Sequence, residues 1–141
     1  KKNGMVVVYL EIDQATNTTP AAGSSTYVAT MKKNPKIKAV ITDHGGLTGA
    51  AATYMKAANQ TPGKVFFSGF DVTPAAVTAM QDGYLNLSID QQPYLQGYLP
   101  ILQICLTKKF GFSGLTVNTS GGFLDKDNLA TVAPLAIKEI R

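Results

Sequence analysis

The chain has 141 residues, 45% hydrophobic and 16% charged, with a formal net charge of +4. That suffices for one ordinary domain with one core, is too apolar for disorder beyond the ends, and contains no apolar run of the roughly 20 residues needed to cross a bilayer. The basic residues are dispersed, among them Lys1–Lys2, Lys32–Lys33, Lys36, Lys38 and Lys108–Lys109, which does not make the clustered patch of a nucleic-acid interface.

The opening, 1-KKNGMVVVYL-10, has the lysines and apolar run of a signal peptide. The run is short, however, and Glu11 and Asp13 follow it at once, so a buried strand over residues 5–12 is the better reading. The absence of an initiating Met fits a chain processed or excised from something longer. A polar loop, 13-DQATNTTP-20, leads to a helix over residues 21–33, which must stop before Asn34–Pro35. A strand over 37–42, an alanine-rich helix over 47–59, a turn at Thr61–Pro62–Gly63 and a strand over 64–70 come next. Thr73 is a natural N-cap with Pro74 in the first helical position, and Gly83 suits a left-handed cap at the end of that helix. A strand over 84–89, a long apolar helix over 94–110, a short strand over 115–117 and a final short helix complete the chain. Alternation of strands and helices with short connections predicts an α/β fold, a doubly wound and mostly parallel sheet. Cys105 lies within the apolar pattern of the long helix and reads as a buried free thiol.

In such a sheet, ligands bind at the carboxyl ends of the strands. Three ends stand out: Thr42–Asp43–His44–Gly45–Gly46, Gly69–Phe70–Asp71 and Ile89–Asp90–Gln91–Gln92. Together they offer carboxylates, an imidazole and amides, a set that suits a polyhydroxylated molecule because carboxylates accept from hydroxyls while amides both donate and accept. Each residue also has a plain structural reading: Asp43 or His44 as a helix cap, Asp71 as an Asx turn before the Pro74 helix.

Enzymatic signatures are missing. The loop 43-DHGGLTG-49 lacks the G-x-G-x-x-G spacing, and neither a phosphate loop nor a G-x-S-x-G elbow occurs. With one His and one Cys, no histidine pair for zinc and no disulfide can form within the chain. No reaction and no cofactor is implied.

The segments 39-AVITDHGGLTGAA-51 and 68-SGFDVTPAAVTAMQDGYLNLSIDQQPYLQGY-98 resemble the type I periplasmic binding proteins that serve ABC transporters of simple sugars. The effector domains of LacI-type repressors share that fold. The resemblance covers nearly all of residues 5–118. It implies two lobes joined by three crossings, with a sugar enclosed between them and an ABC transporter permease as partner. It also implies a periplasmic location, or an extracellular one as a membrane-attached lipoprotein. Asp71 matches the carboxylate that takes sugar hydroxyls, and Gln91 the amide at the second crossing. His44 stands where many members carry Asn or Asp, while Asp43 and Asp90 are weaker matches. A ring stacked on the sugar is also expected, with Tyr9 or Tyr27 as candidates.

Family members are about twice this long, so the resemblance implies a C-terminal half. Residues 1–90 then form the sugar-binding lobe, 91–118 a hinge crossing plus elements of the first lobe, and 119–141 a third crossing and tail. Half a two-lobed protein leaves Leu95, Leu99, Leu102 and Leu106 without their usual cover. The expectation is self-association through the 94–110 helix, or packing against a partner half. The rival readings are a LacI-type effector domain and a nucleotide-using α/β enzyme.

Overall fold

The computed structural model describes residues 3–140. Lys1, Lys2 and Arg141 lie outside them, and with them the Lys1–Lys2 pair. The central sheet has four strands in the order β1 (Ala39–Ile41), β2 (Phe66–Phe70), β3 (Leu87–Asp90) and β4 (Gly122–Leu124). The first three pair in parallel and β4 runs antiparallel to β3. The fold is thus the expected α/β, mostly parallel.

The helices are α1 (Gln14–Thr18), α2 (Ser24–Lys33), α3 (Gly45–Gly49), α4 (Ala51–Ala57), α5 (Pro74–Gln81), α6 (Pro93–Phe110) and α7 (Leu129–Ile137), with a 3-10 turn at Pro20–Gly23 before α2. Local chemistry explains α5 well. The Thr73 hydroxyl accepts from the Ala76 N–H at 3.1 Å, Pro74 opens the first turn, and Gly83 takes φ +76° just after the end.

Strand alternation divides the sheet into two faces. Register places Val40, Phe67, Gly69, Ser88 and Leu124 on one face, where Phe67, Ser88 and Leu124 are buried. That face meets the core formed by Leu47, Ala51, Tyr54, Met55, Ala76, Val77 and Ala136 from the helices. The other face carries Ile41, Phe66, Phe70, Ile89 and Phe123. It is largely uncovered, with Ile41 75%, Phe66 46% and Phe123 56% exposed.

Several expectations are corrected. Residues 5–12 form no strand: Val6 and Tyr9 are 88% and 84% exposed, and only Leu10 and Ile12 touch the core. A β-branched run becomes a strand only when a partner strand satisfies its backbone, and among the described residues none pairs with this one. The same reason leaves 115–117 irregular. The polar loop contains α1, because the Asp13 carboxylate caps it by accepting from the Thr16 N–H at 2.6 Å. That bond holds the Asp13 carboxyl below its ordinary value.

The 47–59 helix is two helices. It starts earlier, at Gly45, and breaks at Ala50, after a first segment weakened by three glycines in five residues. The short strand β4 was not expected; it forms by pairing with β3.

The long helix α6 has no buried residue, and Leu95, Leu99 and Leu106 are only partly covered. Cys105 is therefore exposed rather than buried. Residues 115–119 fold back along α6, and Leu95, Leu99, Pro100, Leu115 and Val117 line a groove of about 260 Å³ between them. No helix among the described residues is long and apolar enough to cross a membrane.

Candidate functional site

Because β1, β2 and β3 are neighbours in that order and run parallel, their carboxyl ends form one continuous edge. Asp43 and His44 leave β1, Asp71 leaves β2, and Asp90–Gln91 leave β3. This is the position at which open parallel sheets bind ligands.

Asp71 is the best-held member. Its N–H donates to the Ile89 carbonyl at 2.8 Å, and its carbonyl accepts from the Ser88 hydroxyl at 2.7 Å, so its backbone is locked to β3. It adopts φ +68°, the left-handed region, which Asp tolerates better than most residues. Its side chain is not spent on capping α5, since Thr73 does that. Instead Oδ1 accepts from Gln91 Nε2 at 2.9 Å. Oδ2 lies over Gly45, where an added Cβ would come within 2.8 Å, so glycine there leaves room for the carboxylate. Asp71, Gln91 and the turn after His44 are thus brought together.

Asp43 and His44 form an exposed pair, with His44 Nδ1 3.0 Å from Asp43 Oδ1. The hydrogen bond from His44 holds the Asp43 carboxyl below its ordinary value. His44 occupies the N-cap position of α3, but its side chain makes no capping bond.

Asp90 is placed differently. It is 1% exposed on the closed face, its Oδ1 accepts from the Gln92 N–H at 2.9 Å, and it stands opposite Gly122 of β4. It shapes the turn into α6, with Gln92 at φ +55°.

The two candidate stacking rings also diverge. Tyr27 is 6% exposed and stacks on Tyr54 with centroids 3.9 Å apart, so it belongs to the core. Burial, with help from Tyr54 and Asp43, pushes its hydroxyl well above the ordinary tyrosine value. Tyr9 is exposed in an irregular segment.

Sequence reasoning placed Thr42 at a strand end without a role of its own and passed over Thr48, and the two hydroxyls meet at 3.0 Å beneath the site. The available signal was Gly69, a glycine inside a strand, which marks a close approach by another group. An added Cβ at Gly69 would overlap both threonine hydroxyls.

The fold recurs among solved proteins. A carbohydrate transporter from Acidothermus cellulolyticus, in complex with myo-inositol, is 30% identical with a TM-score of 0.72, and the match covers 84% of this chain and 41% of that one. A glucose-galactose binding protein from Geobacillus stearothermophilus has a TM-score of 0.72 at 21% identity, over 92% of this chain and 45% of that one. A short stretch of 44 residues is 52% identical to the xylose/arabinose-binding protein of Sulfolobus acidocaldarius, covering 31% of this chain and 11% of that protein. The chain therefore spans less than half the length of these relatives. A family model described as a periplasmic binding protein domain matches residues 1–105, most of the chain. Together with the mostly parallel sheet, that match establishes that the chain belongs to the periplasmic binding protein domain family.

Proposed function

We propose that this chain forms one wall of the sugar site in the substrate-binding component of an ABC importer. The ligand class is a monosaccharide or cyclic polyol, as the names of the relatives imply. The observation that carries the reading is the Asp71–Gln91 pair at adjacent strand ends. Gln91 gives one N–H to Asp71 and keeps a second N–H and its carbonyl oxygen for a ligand. Asp71 is oriented as an acceptor for vicinal hydroxyls. His44, with Nδ1 turned to Asp43, offers Nε2 as a further contact. Asp90 supports the turn from below, since its carboxylate is enclosed.

In this reading residues 1–90 belong to the sugar-binding lobe. The turn at Gln91–Gln92 is the hinge crossing, and α6 with residues 111–118 packs in the other lobe. Residues 119–141 make a further crossing and the tail. Closure around the sugar favours the form that a membrane permease recognises. The protein works outside the cytoplasmic membrane, in the periplasm or tethered to the outer surface by a lipid anchor. We assign it no reaction and no cofactor. The comparisons lend nothing to the repressor alternative.

Calorimetry on the full-length protein with arabinose, xylose, glucose, galactose and myo-inositol tests the reading. Asp71→Ala removes a charged acceptor and should weaken binding about 10- to 100-fold. Unchanged affinity in that variant refutes the role of Asp71.

On its own, the chain covers α6 by pairing with a second copy through the Tyr94, Tyr98, Ile101 and Ile104 surface, residues that are 50–63% exposed. Sedimentation should find a dimer; a monomer that fails to bind a hydrophobic dye overturns this part.

A further inference from the structure

We propose that Thr48 is a positioning residue for the site, acting as a clamp that fixes the His44 turn against the strand end carrying Asp71. The inference rests on the sugar-binding reading above and adds to it a residue that touches no ligand.

Thr48 is 0% exposed and lies one turn into α3. Its hydroxyl donates to the His44 carbonyl at 2.9 Å. A threonine bonding back to the residue four before it is ordinary in helices. The other two bonds are not. The same oxygen accepts from the Phe70 N–H at 3.1 Å, and Phe70 directly precedes Asp71. It also meets the Thr42 hydroxyl at 3.0 Å, and Thr42 directly precedes Asp43.

With its one proton given to His44, Thr48 can only accept from Thr42, whose own proton it shares with the Ser68 carbonyl 3.4 Å away, so its donor and both lone pairs are engaged. A single oxygen thereby links the residue that follows β1, the N-cap of α3 and the end of β2. Gly69 is the complementary feature, because any side chain there would overlap both hydroxyls. The clamp sits behind the site, with Thr42 4% exposed, and it joins the two loops whose side chains face the ligand. Binding-site geometry must be held to about 0.5 Å, and hydrogen bonds from beneath are what hold it.

The experiment compares Thr48→Val, which keeps the shape but loses the hydroxyl, with Thr48→Ser, which keeps the hydroxyl. Sugar affinity is measured in the full-length protein well below its melting temperature. Thr48→Val should bind about 10-fold more weakly, and Thr48→Ser should stay within about 3-fold of the parent. Val132→Ala in α7, a comparable loss of stability away from the site, should leave affinity unchanged. If Thr48→Val does not fold, Thr48→Cys, which differs from Thr48→Ser only by a weakly hydrogen-bonding sulfur in place of the oxygen, should show the same loss.

Amide exchange at Phe70 and the imidazole resonances of His44 supply a readout that needs no ligand. Both should change in Thr48→Val or Thr48→Cys and be restored in Thr48→Ser. A parent that binds no sugar but shows these changes would refute the sugar reading and leave the clamp standing. A parent that binds sugar as tightly with Val or Cys at this position as with Ser overturns the clamp, as does unchanged exchange at Phe70.

Discussion

The two faces of the sheet are built from the same strands and meet opposite surroundings. On one face Phe67 is 0% exposed, and Leu47, Tyr54 and Val77 lie in the core against it. On the other, the neighbouring residue Phe66 is 46% exposed and Ile41 75%. An antiparallel sheet with a wet face usually shows polar residues there, whereas parallel strands are apolar on both sides because both are normally covered. Here the open face keeps Ile41, Phe66, Phe70, Ile89 and Phe123. Its composition is that of a buried layer although its exposure is that of a surface. The comparison teaches that hydrophobic content reports what a face is suited to pack against, and burial reports what is packed there.

The sharpest way to break this contrast is a matched pair of truncations. Phe67→Ala empties a fully enclosed volume and should cost about 3–5 kcal/mol in urea denaturation. Phe66→Ala, one residue away on the open face, should cost about 1 kcal/mol or less. Equal costs would mean that the open face is covered in solution, and the contrast would fail.

That contrast also explains what could be read from the residues. The unit from β1 to β3 was legible because its signals are local and its strands have partners: Thr73–Pro74 starts a helix, Gly83 ends it, and apolar runs of about the right length flank it. Residues 5–12 carry equally strong β-propensity but find no strand to pair with, so propensity alone did not decide. Strand β4 shows the converse: Gly122–Leu124 has weak strand character and becomes a strand by pairing with β3. At the candidate site, the meeting of Asp71 and Gln91 was legible because adjacent strand ends bring them together. The difference between Asp71 and Asp90 was not, since both follow apolar strands; only the fold encloses one and leaves the other's carboxylate beside Gln91. Thr48 was invisible because its partners, Phe70 and Thr42, are set by tertiary packing.

A smaller effect sharpens the closed side. Burial pushes the Tyr54 hydroxyl from 10.0 up to about 12, and it moves Tyr27 in the same direction. A raised folded-state value means that stability is whole below about pH 10, where tyrosine stays protonated in both states. Above that, the unfolded chain ionises first, and stability falls as pH rises toward 12. Denaturation followed between pH 8 and 12 should show that decline. Tyr54→Phe loses the hydroxyl's bond to the Pro20 carbonyl, 2.7 Å long, and should be about 1 kcal/mol less stable at pH 8. Its alkaline decline should be shallower than the parent's, so the two curves converge. Parallel curves would show that Tyr54 does not contribute to the alkaline loss.

The smallest effect lies at the rim of the same closed layer, where Lys56 at the end of α4 meets Asp82 at the end of α5. Lys56 Nζ lies 3.4 Å from Asp82 Oδ2 and 5.2 Å from the centre of the Tyr84 ring. The two charged side chains are 57% and 45% exposed, so water screens their attraction and the pair should contribute about 0.2–1 kcal/mol at most. A double-mutant cycle with Lys56→Met and Asp82→Asn isolates that coupling. In about 1 M salt it should fall toward zero, because the screening length there is roughly 3 Å. Lys56→Met keeps an apolar stem that can lie over Tyr84, so any cost of Lys56→Ala beyond Lys56→Met reports packing on the ring. A salt-insensitive coupling above 1 kcal/mol would place the pair inside the closed layer and move its boundary outward past Asp82.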